Sequence, residues 1–63
     1  MQKLLTVEEL AALLQVPVAT IYRWRLHREG PPAVRVGRYL RYPPSGVEAW
    51  LDTVAANDPR TAA

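Results

Sequence analysis

Val7, Leu10, Ala11 and Leu14 recur at i, i+3, i+4 and i+7, a single apolar stripe at the period of an α-helix. The spacing predicts a helix over about 7–14. Thr6 and Glu9 have the spacing of a capping box, in which each side chain satisfies an orphan backbone N–H at the helix start. Leu5 and Leu10 stand at the two positions of a hydrophobic staple. After a short break at Gln15-Val16-Pro17, a second helix is expected over about 18–27, since a first helical turn needs no N–H from Pro17. Ile21 and Trp24 would face inward, with Val16 in the corner between the helices. Ala19, Thr20, Tyr22 and Arg23 are left outward, flanked by Arg25 and Arg28. The run Glu29-Gly30-Pro31-Pro32 ends this helix, because glycine supplies a left-handed cap and two prolines forbid continuation.

The period then changes. "PPAVRVGRYLRY" (31–42) alternates as a β-hairpin does, with Val34, Val36, Leu40 and Tyr42 toward the core and Arg35 and Arg41 outside. A two-residue loop at Gly37-Arg38 would pair Arg35 with Leu40 and mix the faces. A three-residue loop over 37–39 pairs Val36 with Leu40 and Arg35 with Arg41, and this register is expected because it keeps the faces apart. It sets two arginines opposite each other, which is unfavourable unless an anion lies across them. A last helix should begin near Pro43-Pro44-Ser45-Gly46, with Ser45 and Glu48 as a second capping box. Val47, Trp50, Leu51 and Val54 form its stripe, and Asn57 and Pro59 end it. The ordered domain is expected over 1–56, with 57–63 a disordered tail.

Charge changes the picture more than composition does. The 63-residue chain carries +2 overall, but Arg23, Arg25, Arg28, Arg35, Arg38 and Arg41 share the segment 23–41 with one acid, Glu29. That segment sums to +5 and the remainder to −3, an asymmetry that marks a surface for a polyanion rather than a solvated basic face. There is no cysteine and a single histidine, His27, so neither a disulfide nor a thiolate metal site is available. With no nucleophile–base pair or metal set in view, we expect no enzyme, no cofactor and no metal. No apolar run approaches the ~20 residues of a membrane span, and no signal-peptide pattern opens the chain. A cytoplasmic protein without a membrane partner is therefore expected.

Helix, three-residue break, second helix with an outward basic face, then a basic hairpin: the order is that of a winged helix-turn-helix. The fold class is mainly α, three helices with a two-stranded β-hairpin wing between helices 2 and 3. The second helix is about 15 Å long at 1.5 Å per residue, enough to lie in a DNA major groove. Arg38 at the hairpin tip can enter a minor groove, where narrow A·T tracts concentrate negative potential. Double-stranded DNA is the expected partner.

"LLTVEELAALLQVPVATIYRWR", followed by "GPPAVRVGRYLRY" and "VEAWL", resembles the small excisionases of bacteria and their phages, particularly actinobacterial ones, within the MerR-like winged-helix proteins. The similarity covers about residues 4–52. It implies a recombination directionality factor that binds and bends attachment-site DNA and steers an integrase toward excision; because one recognition helix and one wing cover only about 10 bp, several weakly self-associating subunits are expected to act together. It implies a place in the bacterial cytoplasm, on the nucleoid. On the recognition helix it points to Thr20, Tyr22 and Arg23, and on the wing to Arg35, Arg38 and Arg41; outward position on the helix adds Ala19 and Arg25, and the wing tip adds Tyr39, as candidate DNA contacts. The chain departs from the family pattern at Gln15, where glycine is common. Pro17 and Val18 replace a frequent Ser-Arg pair, removing one cap and one DNA contact. The rival readings are a small MerR-like transcription regulator or repressor, and a basic protein-interaction module.

Several of these residues have ordinary structural uses. Trp24 and Trp50 read as core anchors, and Tyr22 divides between packing on the wing and touching DNA. Tyr39 can pack on the DNA backbone or cap the hairpin, and His27 is an exposed helix-end residue. Arg25 and Arg28 can bind phosphate or pair with Glu29. Leu13 and Leu26 fall off the main stripes and either complete the core or form a weak subunit contact. Adjacent subunits would meet wing to first helix, the basic hairpin against Glu8 or Glu9.

Overall fold

The computed structural model of the protein describes residues 3–57. Three helices and a two-stranded antiparallel hairpin follow one another as α1 (Val7–Leu14), α2 (Val18–Leu26), β1 (Val34–Val36), β2 (Tyr39–Arg41) and α3 (Pro44–Asn57). This is the mainly helical winged helix-turn-helix that the pattern of apolar positions predicts. The expected tail over 58–63 lies outside the described residues, and Asn57, expected to begin it, is the last residue of α3.

The capping box at α1 is present in both directions. Glu9 N–H donates to Thr6 Oγ1 at 3.0 Å, and Thr6 N–H donates to Glu9 Oε1 at 2.9 Å. The α1 stripe buries Val7, Leu10 and Ala11, and these meet Ile21 of α2, Tyr42 and Val47 in one small core. Leu5, Leu14, Val16, Val18, Trp24, Ala33 and Leu40 pack around it, half-buried.

Both helices of the pair stop on a residue in the left-handed region. Gln15 has φ 59° and ψ 45°, and the N–H groups of Gln15 and Val16 return to the carbonyls of Ala12 and Ala11. α2 ends the same way. Arg28 has φ 57°, its N–H donates to the Arg25 carbonyl, and Glu29 N–H donates to the Trp24 carbonyl at 2.7 Å. This pair of bonds is a Schellman motif. The left-handed residue that closes α2 is therefore Arg28 and not Gly30, which takes its own positive φ two residues further on. Pro17 precedes α2 and offers no side-chain bond to its first turn, the missing cap expected there.

The hairpin takes the register that the alternation argues against. Val34 pairs with Arg41, Arg35 with Leu40 and Val36 with Tyr39 across a two-residue turn, Gly37-Arg38. Turn chemistry decides the matter. Gly37 has φ 63° while Arg38 does not have a positive φ, the sign pattern of a type II′ turn, which asks for glycine at its first central position. Residues directly opposite share a face, so Val34, Val36, Tyr39 and Arg41 lie on one side and Arg35, Leu40 and Tyr42 on the other. Leu40 and Tyr42 face the core as expected. Val34 and Val36 do not: they are 42% and 51% exposed on the outer side. The opposed Arg35–Arg41 pair is absent.

A contact that the sequence pattern does not signal ties the hairpin down. Leu5 and Tyr42 exchange both backbone hydrogen bonds at 2.9 Å, so the segment entering α1 forms an isolated bridge to the end of β2. α3 begins at Pro44, one residue ahead of Ser45, so Ser45 is inside the helix and forms no capping box with Glu48. Proline at a first helical position has its φ already set. The first turn of α3 lies close on the loop between α2 and β1, where a Cβ at Gly46 would meet Pro32 Cγ at 2.8 Å. Along the α3 stripe only Val47 is buried. Trp50 is half-covered against Trp24, ring centroids 5.3 Å apart and tilted 53°, while Leu51 and Val54 are 40% and 43% exposed. The helix outruns the body it packs on.

Candidate nucleic-acid interface

α2 presents Ala19, Tyr22 and Arg23 along one outward stripe at i, i+3 and i+4, all exposed. Leu26 continues the stripe at i+7 and is the most exposed large apolar side chain of the described residues, at 79%. Thr20 sits on the edge, half-buried. Arg25 lies on the flank facing Tyr42. Burial raises the Tyr42 phenol above the ordinary tyrosine range, and the Arg25 charge pulls it the other way. The stripe that includes Leu26 was readable from spacing alone; its assignment to the core or a subunit contact hid it.

At the hairpin the structure gathers some of the expected residues and separates others. Arg38, in the turn, and Arg41, on β2, both place their guanidinium carbons over the Tyr39 ring, 5.6 and 5.3 Å from its centroid. Arg41 Nη1 also donates to the Leu40 carbonyl at 2.8 Å. Arg35 lies on the opposite side of the hairpin, exposed. The turn register is the cause: it carries Tyr39 and Arg41 to the outer face together and leaves Arg35 with Leu40. Val34 and Val36 make the rest of that outer face apolar.

Charge pairing is scarce. Among the described residues the one ion pair joins Lys3 to Glu9 at 3.3 Å. Arg23, Arg25, Arg28, Arg35, Arg38 and Arg41 have no carboxylate partner among the described residues, and Glu29 pairs with neither Arg25 nor Arg28. Those two arginines and Glu29 border an open groove against Pro31, Pro32 and Ala33 at the end of α2. Six guanidiniums against the single acid Glu29 in segment 23–41, with no ion pair to them among the described residues, suit a polyanionic partner. No helix among the described residues is long and apolar enough to cross a membrane.

The comparisons with known proteins agree with this geometry. A family model described as a helix-turn-helix domain matches residues 4–54. The chain is similar to two curated proteins of Mycobacterium tuberculosis, one from strain CDC 1551 / Oshkosh and one from strain ATCC 25618 / H37Rv, each named "Putative DNA-binding protein". With each, 47% of 51 aligned residues are identical, over 81% of this chain and 64% of the relative. The chain thus spans less than two thirds of the length of these relatives. No solved structure matches it.

Proposed function

The chain belongs to the helix-turn-helix domain family, and from that premise we propose that it binds double-stranded DNA as a non-enzymatic accessory protein. The observation that carries the reading is the set of six arginines on and beside α2 and the hairpin, none of them in an ion pair among the described residues. The relatives' printed name, DNA-binding protein, points the same way. Residues 1–56 act as the DNA-binding domain. In this reading α2 lies in the major groove, with Ala19, Thr20, Tyr22, Arg23 and Arg25 reaching base edges and phosphates. The hairpin is the wing, and Arg35, Arg38 and Arg41 meet the flanking backbone and minor groove, with the Tyr39 ring beneath Arg38 and Arg41.

The finer reading is that of an excisionase in the bacterial cytoplasm, bound to the nucleoid. One recognition helix and one wing cover roughly one helical turn, about 10 bp, which is too little to select a site alone. Several subunits on adjacent repeats would each add a modest bend and bring distant integrase sites together. Their mutual contacts would be weak in solution and effective on DNA, where tethering raises the effective concentration to the millimolar range. Of the acids expected to receive the neighbour's wing, Glu9 already accepts from Thr6 and Lys3, which leaves Glu8 as the available one.

Footprinting on attachment-site DNA, with and without the cognate integrase, tests this reading. Stepwise, cooperative complexes with increasing curvature and a stimulated excision reaction are expected, from a protein that sediments mainly as a monomer. A tight dimer that protects one palindromic site without bending it would replace this reading with that of a small repressor.

A further inference from the structure

We propose that Tyr39 is a positioning residue, whose ring assembles Arg38 and Arg41 into one preformed divalent tip for the anionic minor groove. The proposal rests on the DNA-binding reading above and assigns the tyrosine a task other than touching DNA itself. Two guanidinium carbons lie over the same exposed ring, at 5.6 and 5.3 Å from its centroid. A guanidinium within about 6 Å of an aromatic centroid is attracted by the negative face of the ring. Long arginine side chains otherwise wander through many rotamers, and holding two like charges together is unfavourable without a counterweight. Here the ring supplies part of that counterweight.

The backbone makes the assembly possible. The two-residue turn sets Arg38 immediately before Tyr39, while Tyr39 and Arg41, two residues apart on β2, share the outer face. Arg41 is restrained at a second point by its 2.8 Å bond to the Leu40 carbonyl. A three-residue turn would have sent Arg41 across from Arg35 and away from this arrangement. Val34 and Val36, opposite Arg41 and Tyr39, give this face an apolar character, and among the described residues no carboxylate pairs with either arginine. DNA then meets a tip whose two charges are already ordered, and the loss of side-chain freedom on binding is correspondingly smaller.

The proposal separates Tyr39→Leu from Tyr39→Phe. Phenylalanine keeps the ring and should bind a duplex carrying an A·T tract as the unaltered protein does. Leucine keeps bulk without a π-face. Each exposed cation–ring contact has the size that changes an equilibrium constant about two- to fivefold, so losing both should weaken binding about tenfold. The salt dependence should not change, because both arginines remain to neutralise phosphates. Arg38→Ala, in contrast, should lower the slope by about one. In an Arg38→Ala, Arg41→Ala background, Tyr39→Leu should have no further effect on affinity. A repeated tenfold loss there would mean that Tyr39 contacts DNA directly, and would overturn the proposal, as would equal losses for leucine and phenylalanine.

A readout without DNA keeps the two ideas distinguishable. In the uncomplexed protein the Hδ resonances of Arg38 and Arg41 should be displaced by the Tyr39 ring current and return to ordinary positions in Tyr39→Leu. Undisplaced resonances in a protein that still binds duplex would refute the assembly alone. Displaced resonances in a protein with no duplex affinity would refute the role for DNA and the functional reading with it.

Discussion

Single residues in this molecule are held in conformations that their type does not favour. Gln15 and Arg28 close α1 and α2 in the left-handed region, at φ 59° and 57°. A Cβ in that region costs roughly 1–2 kcal/mol, part of which glycine gives back through its looser unfolded chain. Gln15→Gly should therefore raise stability by about 0.5–1 kcal/mol in urea denaturation. No gain would mean that the Gln15 side chain supplies contacts that offset its backbone. Glu9 shows the opposite economy of means, one carboxylate used twice. The bond from Thr6 N–H, and then Lys3, holds its carboxyl below the ordinary glutamate range. With the folded pKa lowered, the stabilisation is fully present above the ordinary value and is lost as pH falls through the lowered one. A carboxyl-carbon NMR titration should place the Glu9 midpoint below the ordinary glutamate range, and Glu9→Gln should remove this component of the acid transition.

Aromatic residues give the next test at this scale. Trp50 is half-covered rather than buried, resting on Trp24 at 5.3 Å. A buried tryptophan truncated to alanine costs about 3–5 kcal/mol. The tilted pair adds about 0.5–1.5 kcal/mol beyond area. With only part of the ring covered, Trp50→Ala should cost about 2 kcal/mol, with thermal stability and DNA affinity falling together only near the unfolding temperature. A variant of full thermal stability without DNA affinity would move Trp50 from the fold to the interface.

At the level of elements, helices were legible and strand register was not. Capping box, staple and stripe all agree on α1, and the structure places it at Val7–Leu14 as the spacing predicts. α2 differs at its end by one residue. The hairpin misled because alternation assumes that a valine prefers the core, whereas Gly37 demanded a two-residue turn and turned Val34 and Val36 outward. The bridge between Leu5 and Tyr42 is backbone to backbone, so side-chain pattern carries no sign of it. The stripe of α3 failed for a different reason: periodicity reports which face could be buried, not whether another element lies beneath it.

The candidate site was legible in residue type and charge but not in grouping. All six arginines were readable, while the Arg38–Tyr39–Arg41 cluster depended on the register. Helix and hairpin should also separate functionally. Arg23 lies exposed on the outward stripe of α2; if it meets a base, as proposed, Arg23→Ala should weaken a specific site more than random duplex, by about 1–3 kcal/mol for a bidentate contact. Arg38→Ala should weaken most the sites with narrow A·T minor grooves. Equal losses on every sequence would reduce both residues to phosphate positioning.

For the whole molecule the central claim is electrostatic. Segment 23–41 sums to +5 within a chain of net charge +2, and its arginines have no acidic partner among the described residues. The acids gather elsewhere, at Glu8 and Glu9 in α1 and at Glu48 and Asp52 in α3. Such a dipolar body orients on a polyanion before it makes any specific contact. The most direct test is the affinity for duplex DNA measured across a range of salt concentrations. Each phosphate neutralised contributes about −0.9 to the slope of log K against log salt, so four to six engaged arginines give a slope of about −4 to −5. A slope near zero, or no measurable duplex affinity at low salt, would contradict the account.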